Sequence, residues 1–246
     1  MDLKIDSLQD GEIVSLGIDA SCSPPSVALQ VGNRPIKRLS MDSLARRGID
    51  LLKLVERLLS DEKIDKSNID LIVVATGPGS FTGIRIGIAT AVGLSDSLSL
   101  KLIGIPTFES ILRASKSLFD YETPIAILSD SRKDEYYIGK YIFNRNANLE
   151  KLKLDSIVSK DLLERELKDS KIITGSKNIL ELVQKTSPEL GVKLIPIEIQ
   201  KYIAIGLVIG AKDIYKEGKE NGKRVVPNYV ARSQAEVKMG INYELT

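Results

Sequence analysis

The segment GPGSFTGIR, residues 77–85, concentrates three glycines, two hydroxyls and one cation between an apolar run, LIVVA, and a second apolar run. A glycine turn leading from a strand into a helix presents backbone N–H groups and the positive helix end to an anion. Four known arrangements share that outline. A P-loop needs a glycine followed by lysine and then serine or threonine, and no such triplet exists in the chain. A Rossmann turn needs G-x-G-x-x-G, whereas Gly77, Gly79 and Gly83 give G-x-G-x-x-x-G. A nucleophile elbow needs glycines two residues either side of its serine, but Ser80 has Pro78 and Thr82 there. The fourth arrangement is structural: Gly77 and Gly79 permit a tight turn, and Ser80 or Thr82 caps the helix. On mechanism the structural turn is favoured. Weak anion binding at Gly77, Gly79, Ser80, Thr82 and Arg85 stays open beside it.

The wider inventory narrows the chemistry further. The 246 residues include no histidine and one cysteine, Cys22. A histidine-based triad and a zinc site are therefore excluded, while carboxylate-bound magnesium is not. Asp19 ends an apolar run, where an aspartate can either meet a phosphate-bound metal or cap a turn. The following ASCSPPS lacks glycine, and Pro24 and Pro25 remove two N–H donors. Asp130 and Glu135 flank Arg132, a pattern expected to form a local ion pair. Lys223, Arg224 and Arg232 surround Tyr229, a short basic patch that reads first as solvated surface and second as an RNA contact. No residue is assigned a catalytic role and none a metal. A net charge of +2, from 35 basic and 33 acidic residues, demands no polyanionic partner.

These residues need elements to position them. Residues 12–19, 26–32 and 36–40 have strand composition and meander spacing. Residues 43–63 form an amphipathic helix, with Leu44, Leu51, Val55 and Leu58 on one face. Then come an apolar strand at 69–76, a helix from Thr82 to about Ser97, a strand at 101–105 and another helix. This βββαβαβα order is that of the ribonuclease-H-like α/β fold. The second half repeats the theme, with strands expected near 124–130, 135–143 and 171–175 and helices at 159–169, 176–186 and 201–218.

The helix after the glycine turn is apolar nearly all round. Gly83, Gly87, Thr90 and Ala91 share a stripe that Leu94 extends, and Ile84 lies beside it. One sheet covers one side of a helix, so this sequence predicts either burial between two layers or a subunit interface.

GPGSFTGIRIGIATAVGL resembles the signature of the bacterial TsaB (YeaZ) family. LGIDASCSPPSVAL, GIPTFESI, DSRKDEYY and PNYVARSQAE resemble further family segments in order, so the likeness spans residues 13–236. The resemblance implies the actin-like/sugar-kinase/Hsp70 ATPase fold with two βββαβα-type subdomains. It implies a non-catalytic subunit that pairs with TsaD, joins TsaE in the larger complex, and contacts tRNA indirectly. That complex transfers threonylcarbamoyl to the adenosine beside the anticodon of ANN-decoding tRNAs. ATP and a metal are then expected only in partner subunits, with none bound by the isolated chain. The implied pairing face comprises Leu44, Arg47, Leu51, Val55, Gly83, Ile84, Gly87, Thr90, Ala91 and Leu94, and the chain alone is expected to self-pair through it. Gly87→Arg is expected to break pairing while leaving the monomer folded. Arg47 stands where many relatives have histidine, and Lys53 where many have proline. A stand-alone ATPase or small-molecule kinase of the same fold is the alternative.

The expected division is 12–106, 107–198 and a tail at 218–246, with the helix at 199–217 returning to the first unit. An acidic, interrupted N-terminus and the absence of a long apolar run predict a cytoplasmic chain.

Overall fold

The computed structural model describes residues 12–41, 49–216 and 225–230. The first half runs β1 (Val14–Asp19), β2 (Ser26–Val31), β3 (Lys37–Ser40), α1 (Ile49–Asp61), β4 (Leu71–Ala75), α2 (Phe81–Leu98), β5 (Lys101–Ile105) and α3 (Thr107–Ala114). The second runs β6 (Ile125–Arg132), β7 (Glu135–Phe143), β8 (Leu149–Ser159), α4 (Leu163–Leu167), β9 (Ile172–Gly175), α5 (Lys177–Thr186), β10 (Lys193–Pro196) and α6 (Ile199–Lys216).

The two sheets have the same topology. The first is ordered β3-β2-β1-β4-β5 and the second, read from its meander edge, β8-β7-β6-β9-β10. In each, a three-strand antiparallel meander is extended by two parallel strands reached through helical crossovers. This is the ribonuclease-H-like unit of the actin-like fold, present twice.

The central strands β1 and β4 are buried along their whole lengths, as continuous apolar runs covered on both faces must be. On one face, Leu16, Ile18 and Leu29 meet Leu51, Val55 and Leu58 of α1 and Ile84, Ile88 and Ala91 of α2. On the other, Val73 and Ile105 meet Phe108 and Ile111 of α3 and Ile203 and Leu207 of α6, and this core continues into Ile125, Ile127 and Tyr141 of the second sheet. Helix α6 thus returns to β1, β2 and β4 and lies against α3. The outer face of the second sheet is covered by α4 and α5 through Leu163, Leu167, Ile179 and Val183.

Two strands, β8 and β10, lie outside the sequence expectation. Both are edge strands of the second sheet. Apart from Val158 their residues are exposed or half-buried, so neither carries a buried apolar run. Among the described residues no helix is long and apolar enough to cross a membrane.

Candidate functional site

Residues 76–80 turn from β4 into α2 and form one wall of the cleft between the two sheets. Ser80 is the helix cap: its Oγ accepts the Gly83 N–H at 3.2 Å. Thr82, the other candidate cap, is exposed. Gly79 sits at φ +155°, and a β-carbon there would run into the Ser21 carbonyl. A β-carbon on Gly83 would run into the Ala20 carbonyl, so these glycines admit the end of β1 rather than a ligand.

Bonds from four other segments hold the turn. Ser80 N–H donates to the Ser21 carbonyl at 2.7 Å and Thr107 N–H to that of Gly77 at 2.7 Å. Asn228 N–H donates to the Thr76 carbonyl at 2.8 Å, and Tyr137 Oη to that of Gly79 at 3.2 Å. The cleft has a volume of about 770 Å³, and its lining includes Ser21, Ser80, Arg85, Asp130, Arg132 and Tyr229.

Asp19 lies just behind this lining, with no exposed surface. Its Oδ1 accepts both the Ser21 N–H at 2.8 Å and the Ser21 hydroxyl at 2.6 Å, which is the turn-capping role. Its Oδ2 has no partner among the described residues. Burial pushes its carboxyl up from 3.8 to about 6, against the opposing pull of the Ser21 bonds and of Arg38. Burial, and then the neighbouring Asp19, pushes the Cys22 thiol up to about 12, which removes it as a nucleophile at neutral pH.

The fold family uses such a cleft for a nucleotide, and the residues here fit its phosphates poorly. The β1–β2 turn contains Pro24 and Pro25, which have no N–H. The Ser21 and Ser80 amides are committed to Asp19 and Ser21. Asp130 adds a carboxylate to the lining. A phosphate cradle needs several converging free N–H groups, and these two amides are turned inward.

Arg85 is held in place at the cleft mouth. Its guanidinium lies 4.0 Å from the Phe81 ring centroid and 5.5 Å from that of Tyr229, and the two rings stack with centroids 4.7 Å apart. Arg85 Nε donates to Tyr229 Oη at 2.7 Å. The sequence pattern placed Tyr229 in a basic surface patch. In the fold it lines the cleft, stacked on Phe81 and bonded to Arg85, and Lys223, Arg224 and Arg232 of that patch lie outside the described residues. No sequence spacing links Phe81 to Tyr229; only the return of the chain end brings them together.

The expected pairing face needs correction. Leu51, Val55, Ile84 and Ala91 are buried against β1, β2 and β4 of the same chain. Gly83 and Gly87 face Ala20, with Val74 also beside Gly87. The small stripe therefore admits the chain's own strand, and Gly87→Arg would break the core. Thr90 and Leu94 are half-buried, and Leu44 and Arg47 lie outside the described residues. The surface that α2 does present consists of Thr82, Arg85, Ala89, Val92, Gly93, Asp96 and Ser97. Val92 is 36% exposed, and Leu52 on neighbouring α1 is 43% exposed.

The model of the family described as TsaD, tRNA N6-adenosine threonylcarbamoyltransferase, matches residues 48–208. A protein of Buchnera aphidicola subsp. Schizaphis graminum described as tRNA threonylcarbamoyladenosine biosynthesis protein TsaB is 31% identical over 159 residues, 64% of this chain and 74% of that protein. The Bacillus subtilis protein of the same description is 29% identical over 150 residues, 61% of this chain and 64% of that protein. The structure of YeaZ from Pseudomonas aeruginosa superposes with a TM-score of 0.72 at 22% identity, covering 88% of this chain and 99% of that one.

Proposed function

The chain belongs to the TsaB (YeaZ) family, and on that premise we propose that it serves tRNA threonylcarbamoyladenosine biosynthesis as a non-catalytic subunit paired with TsaD. Pairing uses the outward faces of α1 and α2. The observation that carries this reading is the surface composition of α2. Ala89, Val92 and Gly93 form an exposed small-apolar stripe, and Leu52 is exposed on the neighbouring helix α1. A helix that only faces water carries polar residues there. A flat stripe of small side chains lets another helix approach closely and bury apolar area at little entropic cost.

The chemistry of the cleft supports the non-catalytic part. The chain has no histidine, and the Ser80 amide of its glycine turn is spent on the Ser21 carbonyl. ATP and its metal belong to the partner subunits in this reading, and TsaE and tRNA join through the assembled complex.

Co-purification with TsaD from the same organism tests the pairing. Val92→Arg is expected to abolish it while the circular-dichroism spectrum and melting temperature stay unchanged. Undiminished co-purification of that variant would sink the proposed face. Calorimetry of the isolated chain with ATP and magnesium tests the remainder. Micromolar affinity would favour the ATPase or kinase alternative, which the volume of the cleft would accommodate.

A further inference from the structure

The cleft carries an uncompensated charge of each sign, one on either wall. Arg85 lines it from α2 and Asp130 from the end of β6. Neither forms an ion pair among the described residues. Two contacts place these charges close together. Tyr137 Oη reaches across to the Gly79 carbonyl at 3.2 Å, so the walls meet there. Tyr137 is the cross-strand partner of Ser129, which directly precedes Asp130. On the opposite wall the Arg85 side chain leans back along α2, as helical side chains do. Its guanidinium lies 4.0 Å from the ring centroid of Phe81, the first residue of the helix. The cation and the carboxylate therefore flank the Tyr137–Gly79 bond.

We propose that the cleft binds a free α-amino acid, its carboxylate on Arg85 and its ammonium on Asp130. Arg85 is prepared for a carboxylate. Its Nε is spent on Tyr229 Oη, and the stacked rings of Phe81 and Tyr229 hold the guanidinium plane. The two terminal amino groups make no bond among the described residues, and they form the edge of the planar fork that a carboxylate meets with two bonds. Little rotamer entropy then remains to be lost on binding. Asp130 offers only acceptors, and an ammonium offers only donors. A phosphate or a simple carboxylate would answer Arg85 and set a second anion against Asp130. A simple amine would answer Asp130 and set a second cation against Arg85. A ligand with both charges satisfies both walls, and like-charge rejection excludes the others. In an α-amino acid the two groups share one carbon, which suits charges gathered about one point of contact between the walls. The volume of about 770 Å³ leaves room for a side chain.

Thermal unfolding of the full chain tests this, with each proteinogenic L-amino acid added in turn at about 10 mM. At least one should raise the melting temperature. Calorimetry then compares that amino acid with acetate, methylammonium and inorganic phosphate. The amino acid should bind at least about tenfold more tightly than any of the three, because each of them answers one wall only. Asp130→Asn and Arg85→Lys should each weaken binding at least about tenfold while the melting temperature without ligand stays unchanged. Arg85→Lys keeps the charge and removes the fork. Asp130 is exposed, so Asp130→Asn keeps the test valid if Arg85→Lys disturbs the aromatic stack. A melting temperature that no amino acid raises would overturn the proposal. So would acetate or phosphate binding as tightly as the best amino acid, or undiminished affinity in Asp130→Asn. The isolated chain carries the whole test, so its failure leaves the pairing with TsaD standing.

Discussion

Asp19 is a buried carboxylate that caps the turn after β1. In the sequence it ends an apolar strand at the place where a metal-contacting aspartate would stand. In the structure one oxygen caps the turn through Ser21, while the other is buried without a partner among the described residues. Burial raises the folded-state carboxyl from 3.8 to about 6. The folded protein therefore binds the proton more tightly than the unfolded chain does. The stabilisation from that proton is complete below about pH 4 and is lost as the pH rises through about 6. Asp19→Asn has no such proton to lose and keeps an acceptor for the Ser21 N–H. Urea unfolding should show the variant gaining about 2 kcal/mol relative to wild type between pH 4 and pH 7. A difference that does not vary with pH would mean that Asp19 already titrates normally in the fold.

At the scale of the element, α2 separates two kinds of glycine that the sequence presents alike. Gly83 lies against the Ala20 carbonyl, whereas Gly93 has open space where a side chain would be. Gly83→Ala should cost about 3 kcal/mol, because a backbone carbonyl has no rotamer by which to yield. Gly93→Ala should gain up to about 1 kcal/mol from helix propensity. Denaturant titration of the two variants checks the contrast, and equal effects would refute the packing described here. The presence of α2, its apolar circumference and a cap at Ser80 or Thr82 were legible in the sequence, because all three are local. Which side faces inward was not. Gly83, Gly87 and Ala91 suggested a stripe cleared for a partner, and only the crossover from β4 shows that the chain's own β1 takes it. Strands β8 and β10 escaped for a related reason. An edge strand has lysines and glutamates on much of its surface, and its character comes from the neighbour it pairs with. The cleft mouth was equally hidden, because Phe81 and Tyr229 are separated by most of the chain.

At the scale of the molecule, two copies of one topology share a single continuous core, and α6 closes it. Ile203, Ala204, Leu207, Val208 and Ala211 of that helix are fully buried. A chain ending at residue 198 would leave the inner faces of β1, β2 and β4 uncovered. It is expected to lose cooperative thermal unfolding and to bind the dye ANS strongly. A sharp melting transition in that fragment would show that the first unit folds without α6. The same closure sets a timetable for synthesis. Ala28 of β2 packs with Ala204 and Val208, roughly 180 residues later. At about 5–20 residues per second, the ribosome delivers that cover some 10–40 s after β2 has been made. Through that interval the nascent chain carries an apolar sheet face with nothing to bury it, and so passes through translation as a client for chaperones.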